Sequence, residues 1–320
     1  MRRRLLLLTL AALVAAGCHG EDSAAPPPTR VPSFTDPPLP SGAVAAQPHT
    51  SPPPEQVTCS DPTASLRPDG RGGPAVDAIR ARGRLLVGLD PGSNLFSFRD
   101  PATGTLSGFD VGIAREIARD LLGDPEKIEY RILGSADREQ ALAEHTVDVV
   151  VKTMTITCER RQRVSFSTSY LQAHQRVLTV RDTGIGGLAD LAGRRVCVVG
   201  GTTSLDRIRR QQPAASLLTV PSWADCLVVL QQRQVDAIST DDTILAGLAV
   251  QDPLTVVTGE DLSTEQYGIG IPKDRDDLVR FVNGTLERIR GDGTWDRLYQ
   301  RWLAPQLGTA AIPPPPRYRD

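Results

Sequence analysis

Lysine is scarce in this chain: Lys127, Lys152 and Lys273 are its only three, and every other basic side chain is arginine. A basic surplus is lacking too, since 36 Lys+Arg stand against 38 Asp+Glu. A nucleic-acid binder usually carries such a surplus or a basic patch, so that class is set aside. No CxxC pair occurs and the four histidines are scattered, so neither a zinc site nor any other metal or cofactor is expected. No Ser–His–Asp, HExxH or phosphate-loop pattern is present, which removes the commonest hydrolase and nucleotide-binding classes. No repeat of about 20–50 residues is visible, which removes solenoids and propellers. Long apolar runs are missing as well. The longest, Leu5–Ala16, falls short of the ~20 residues that span a bilayer.

What the N-terminus does have is an export signal. Arg2–Arg4 precede the apolar stretch, and Ala15-Ala16-Gly17-Cys18 follows it. That layout is a lipoprotein signal peptide, residues 1–17, with Cys18 as the lipidated residue, although Ala15 stands where Leu or Val is usual. The mature chain is then exported and held at the outer face of the cell membrane by its N-terminal lipid. Residues 18–57 hold Pro26–Pro28 and Pro52–Pro54 among Ala, Ser and Thr, a composition that cannot bury a core and reads as a tether. Four further cysteines in an exported chain suggest two disulfides. Cys197, on an expected strand, and Cys226, near a helix start, lie mid-chain and are paired. Cys59 is then left for Cys158, which staples an N-terminal arm (58–74) to the loop after residue 151.

From about residue 75, strands and helices alternate. Leu85–Leu89, Ile128–Leu133 and Val147–Val151 read as strands. In Val111–Leu122, Ile113, Ile117 and Leu121 recur at helical spacing with Ala114 and Ala118 beside them. Further strands are expected at Arg176–Val180, Arg195–Val199, Leu217–Val220, Ala237–Ser239, Leu254–Val257 and Tyr267–Ile271, with helices between and after them. Such alternation gives an α/β fold with mainly parallel sheets. The Pro-rich tail from Ala304 (304–320) reads as loose.

The densest chemistry lies at residues 145–170. A strand runs into a turn of small hydroxyl residues, Thr153–Thr157, followed by Glu159-Arg160, Phe166-Ser167 and Tyr170. The turn offers N–H and O–H groups, and the arginine offers a planar two-pronged cation. Together they suit a small carboxylate.

This run closely resembles the family-3 extracellular solute-binding proteins, the amino-acid-binding proteins of ABC importers. Further pieces resemble the same family in the same order: Leu106-Ser107-Gly108-Phe109-Asp110-Val111, Gly193-Arg194-Arg195-Val196 through Gly201-Thr202-Thr203, Gln234-Val235-Asp236-Ala237 through Thr240-Asp241-Asp242, Gln266-Tyr267-Gly268-Ile269 to Pro272-Lys273, and Gly293-Thr294-Trp295 with Trp302. The likeness covers about residues 75–303 and is nearest to actinobacterial glutamate/glutamine-type binding lipoproteins, which share the cysteine pattern. It implies a two-lobed, type II periplasmic-binding-protein-like α/β fold with two hinge strands. Lobe 1 would be 75–181 with 269–303, and lobe 2 would be 182–268. It implies a monomer whose partners are a free amino acid and an ABC permease or membrane sensor.

The resemblance also implies roles. Arg160 would clamp the α-carboxylate, with Thr153 and Thr155 of the turn adding N–H and O–H groups. Gly201, Thr202 and Thr203 would aim helix N-terminal N–H groups at the same carboxylate. Asp241 would take the ammonium, with Asp242 as fallback. Asp90 and Ser93 sit where the family reads side-chain or ammonium groups. The family's aromatics are missing, with Ser93 near one place and Gly134-Ser135-Ala136 at the other, which suggests a polar pocket. A buried Lys152 would need an anion. Taken as a ligand carboxylate, that anion points to glutamate or aspartate, then glutamine or asparagine. The alternative is an enzyme on the same scaffold, of cyclohexadienyl or arogenate dehydratase type. It would need a general acid, and only Glu159 beside Arg160 is left to supply one.

Overall fold

Short aliphatic runs bounded by glycine, proline and aspartate make the strands of two separate sheets. The computed structural model describes residues 37–46, 57–308 and 311–320. The chain divides after Pro38, and Leu39–Asp320 forms a unit of its own. The signal peptide, Cys18 and most of the tether lie outside the described residues. Among the described residues no helix is long and apolar enough to cross a membrane.

The first sheet has five strands: β2 (Leu85–Leu89), β6 (Ile128–Ile132), β7 (Val149–Val150), β8 (Val164–Phe166) and β14 (Gly270–Pro272). Their order is β6-β2-β7-β14-β8, with β2 parallel to β6 and β7, and β14 antiparallel to β7 and β8. Leu85, Val87 and Val149 share a core with α1 (Pro74–Arg82), α2 (Phe109–Leu122), α8 (Asp276–Gly291) and α9 (Thr294–Trp302). On α2, Ile113, Ile117 and Leu121 are buried at the spacing the sequence gives. Gly112 is on the same helix because a Cβ there would lie 2.5 Å from the Leu298 side chain of α9. A small antiparallel sheet, β3 (Gly92–Ser93), β4 (Ser97–Arg99) and β5 (Leu106–Ser107), leads into α2. Two short helices, α3 (Arg138–Ala143) and α4 (Arg160–Arg163), follow β6 and β7.

The second sheet has six strands: β1 (Val44–Ala46), β9 (Leu171–Val180), β10 (Arg195–Val199), β11 (Ser216–Val220), β12 (Ala237–Asp241) and β13 (Thr255–Tyr267). They lie in the order β1-β11-β10-β12-β9-β13, with β10 parallel to β11 and β12. Helices α5 (Thr203–Gln211), α6 (Trp223–Gln231) and α7 (Asp242–Gln251) each start just beyond the end of a strand. The result is a mixed α/β, two-lobed periplasmic-binding-protein fold.

Four details differ from the sequence reading. Val44–Ala46, within the expected tether, pairs antiparallel with β11 as an edge strand. Residues 171–180, grouped with lobe 1 from the sequence, pair in the six-stranded sheet between β12 and β13. Leu254–Val257 is not a separate strand but the start of β13, whose register shifts between Thr258 and Ser263 and breaks the apolar pattern. The described residues of the C-terminal tail are not loose. Ala304–Leu307 is helical (α10), and the Ser65 N–H donates to the Arg317 carbonyl while the Arg319 N–H donates to the Ser65 carbonyl. Tyr318 donates to Glu287, and Asp320 accepts from the Arg67 N–H and from Arg280. The tail therefore ties the N-terminal arm to α8. A partner so distant in sequence leaves no local signal.

Two disulfides complete the frame. Cys59–Cys158 joins the arm to the loop before α4, and Cys197–Cys226 joins β10 to α6, with Cα separations of 5.7 and 5.5 Å. Both separations suit an unstrained bridge.

Candidate functional site

Loops and helix N-termini of both sheets converge on one cavity. The five-stranded side contributes Ser135, Arg138, Thr153, Thr155 and Arg160. The six-stranded side contributes Thr202, Thr203, Ser204, Trp223, Thr240, Asp241 and Ile244. The starts of α5 and α7 face it, so unpaired helix N–H groups and positive dipole ends point inward.

The cationic wall is Arg160 with Arg138. Arg160 is buried, donates to the carbonyls of Thr155 (2.8 Å) and Gly201 (3.0 Å), and lies 3.5 Å from Glu139. Arg138 donates to the carbonyls of Ser135, Lys152 and Gly201. Burial and the neighbouring Arg160 pull its pKa down to about 9. Gly201 thus bonds across the cleft to two guanidiniums. Only glycine fits there, because its φ is +70° and a Cβ would lie 2.5 Å from the Ala136 Cα.

Thr202 caps α5 by accepting from the Leu205 N–H, as an ordinary helix start would. The Thr203 hydroxyl donates to Glu265 and lies 3.4 Å from the Thr155 hydroxyl on the opposite wall. Thr153 adopts φ +40°, rare for a β-branched residue.

The anionic wall is Asp241. Although it precedes α7, its side chain makes no capping bond; Asp242 instead accepts from the His174 and Thr243 N–H groups. One Asp241 oxygen accepts from the Tyr267 hydroxyl, and the other is buried without a hydrogen-bond partner. Burial, and then the Glu265 carboxylate, push the Asp241 pKa up to about 8. A buried carboxylate oxygen with no donor is a costly feature, and a cationic donor entering the cavity would relieve it.

Lys152 lies behind Ser135. Its ammonium is 3.0 Å from the Ser135 hydroxyl and 3.4 Å from Asp90, and it is only 3 % exposed. Burial lowers its pKa to about 8, against the pull of Asp90. An anion for the buried Lys152 is therefore supplied by the protein itself, through Asp90.

The family model for bacterial extracellular solute-binding proteins, family 3, matches residues 85–305. The chain belongs to that family. It is 34 % identical over 227 residues to the ABC transporter glutamine-binding protein of Bacillus subtilis (strain 168), covering 71 % of this chain and 83 % of that one. It is 33 % identical over 252 residues to the glutamate-binding protein of Corynebacterium efficiens, covering 75 % and 84 %. The solved solute receptor for L-cysteine of Neisseria gonorrhoeae superposes with a TM-score of 0.70 at 27 % identity, covering 74 % of this chain and 96 % of that one.

Within this solute-binding family, the residues expected from the sequence divide in two. Thr153, Thr155, Arg160, Thr202, Thr203 and Asp241 line the cavity, and Gly201 bonds to its two arginines. Asp90 and Lys152 form a pair one layer back, behind Ser135. Ser93 does not line the cavity; its N–H bonds to the Asp90 carbonyl in the small sheet. Glu159 is more than half exposed and pairs with Arg163, away from the lining. Sequence reasoning missed Arg138, Ser204, Trp223, Thr240 and Ile244. Trp223 opens α6 just beyond β11, and the sequence signal for it was Ser222, whose hydroxyl caps that helix.

Proposed function

We propose that this protein is an exported receptor that closes its two lobes around one free amino acid and presents it to an ABC permease. The observation that carries this reading is the opposition of Arg160 to Asp241, whose second oxygen lacks a partner, across one cavity. A zwitterion matches that pair. Its carboxylate would take the Arg160 fork, the Thr153 and Thr155 groups and the N–H groups of Thr203 and Ser204, and its ammonium would complete Asp241. The names of the glutamine- and glutamate-binding relatives support an amino-acid ligand. In the same reading, Cys18 carries the lipid anchor and the chain crosses between lobes near residues 168–170 and 268. Turnover is not part of the proposal, because Asp241 is the one carboxylate in the lining and the ammonium engages it.

The side chain we assign is an amide, glutamine first. The Lys152–Asp90 pair is net neutral, so a ligand carboxylate would meet Asp90 as well as Lys152. A neutral amide can bond to the Ser135 hydroxyl, which Lys152 holds from behind, without bringing a second anion up to Asp90.

A thermal-shift screen of the mature chain against the twenty amino acids tests this. L-Glutamine should give the largest rise in Tm, growing with the logarithm of its concentration over Kd. Asp90→Asn should tilt the preference toward L-glutamate, because Lys152 then lacks its acid. A response only to arginine, lysine or apolar amino acids would contradict the amide assignment. No response to any amino acid would contradict the receptor.

A further inference from the structure

We propose that Asp110 is a positioning residue for this cavity: its carboxylate holds the backbone at Thr153 in the turn that presents Thr153, Thr155 and Arg160 to a ligand. Asp110 is not in the lining, so it acts through Thr153. The link to a ligand rests on the receptor reading above.

Thr153 sits at φ +40°, a conformation that a β-branched side chain makes unfavourable and that surrounding structure must over-determine. On either side the chain is held by backbone bonds: the Val151 N–H donates to the Gly88 carbonyl, and the Ile156 N–H to the Gln266 carbonyl. The Thr153 N–H goes instead to a side chain, the Asp110 carboxylate, at 3.0 Å and fully buried. The other Asp110 oxygen accepts from the Tyr170 hydroxyl at 2.8 Å.

Tyr170 is fixed in turn. Its ring stacks on Phe109, its N–H donates to the Tyr267 carbonyl, and its carbonyl accepts from the Trp295 indole. Asp110 itself stands in the first turn of α2. A rigid helix, a rigid ring and a buried carboxylate therefore converge on the single N–H of the strained residue. A buried acid satisfied by two donors is stiff, and removing it leaves the N–H of the strained residue, Thr153, unpaired, while the bonds at Lys152, Met154 and Thr155 hold only its neighbours.

Four variants and two readouts test the role. In the ligand-free protein, Asp110→Ala should raise amide exchange at residues 151–155, whereas Asp110→Asn, which keeps an oxygen for that N–H, should leave it protected. Calorimetric titration with L-glutamine should show Asp110→Ala weakening Kd by about tenfold or more. In a Thr153→Gly background the same change should cost less than about threefold, because glycine takes positive φ at no steric cost. Unchanged exchange in Asp110→Ala, or an equal loss of affinity with and without Thr153→Gly, would overturn the proposal. If the wild type binds no amino acid, the receptor reading falls, and the exchange readout still decides whether Asp110 holds the turn.

Discussion

Asp241 and Asp110 are both carboxylates sealed from water, and each accepts from a tyrosine hydroxyl. Burial lifts their pKa values to about 8 and about 7, well above the ordinary 3.8. Between about pH 4 and those values the folded, ligand-free protein holds protons that the unfolded chain has released. Their contribution to stability is therefore full below about pH 4 and is lost as pH rises through 7 and 8, by at most about 1.4 kcal/mol per pH unit per group. Urea unfolding at pH 5, 7 and 9 should show wild type losing stability relative to Asp241→Asn as pH rises. A constant difference would mean that Asp241 is ionised throughout. At this scale the sequence was legible where chemistry is local. Arg160 and the threonine turn lie within eight residues of one another, and their pattern reads directly. Arg138 did not read, because all of its donors go to backbone carbonyls, two of them from segments far along the chain. Lys152 read as buried and in need of an anion, but the identity of that anion depended on Asp90, a distant strand end.

Among the elements, α2 was the plainest, since its apolar spacing is a property of the helix alone. β1 and the C-terminal residues 317–320 were invisible, because a three-residue strand or a single bridge takes its form from its partner. The N-terminal arm, by contrast, was legible through its cysteine. Cys59–Cys158 anchors it, Arg161 donates to the Pro62 and Ala64 carbonyls, and the Ser65 hydroxyl donates to the Phe166 carbonyl. It thus braces α4, which carries Arg160. Replacing Cys59 and Cys158 with serine should lower the unfolding free energy by about 2–5 kcal/mol in denaturant titrations. A change under about 0.5 kcal/mol would show that the hydrogen bonds hold the arm without the bridge.

For the molecule as a whole, strand–helix alternation conveyed the α/β class, and the ordered motifs conveyed the family. Where the chain changes lobe was harder to read. β9 and β13 run as long antiparallel neighbours, so no composition change marks their ends. What the fold achieves is to bring a guanidinium from one sheet and an incompletely satisfied carboxylate from the other to a common cavity. The most direct test leaves the protein unaltered and trims the ligand. Calorimetric titration of the wild-type chain would compare L-glutamine with 4-aminobutanamide, which lacks the α-carboxylate, and with glutaramic acid, which lacks the α-amine. Removal of either group should weaken binding by about 100-fold or more, since each removes a charge-assisted bond, to Arg160 or to Asp241, made inside the cavity. Analogues that bind as tightly as L-glutamine would contradict the Arg160–Asp241 clamp.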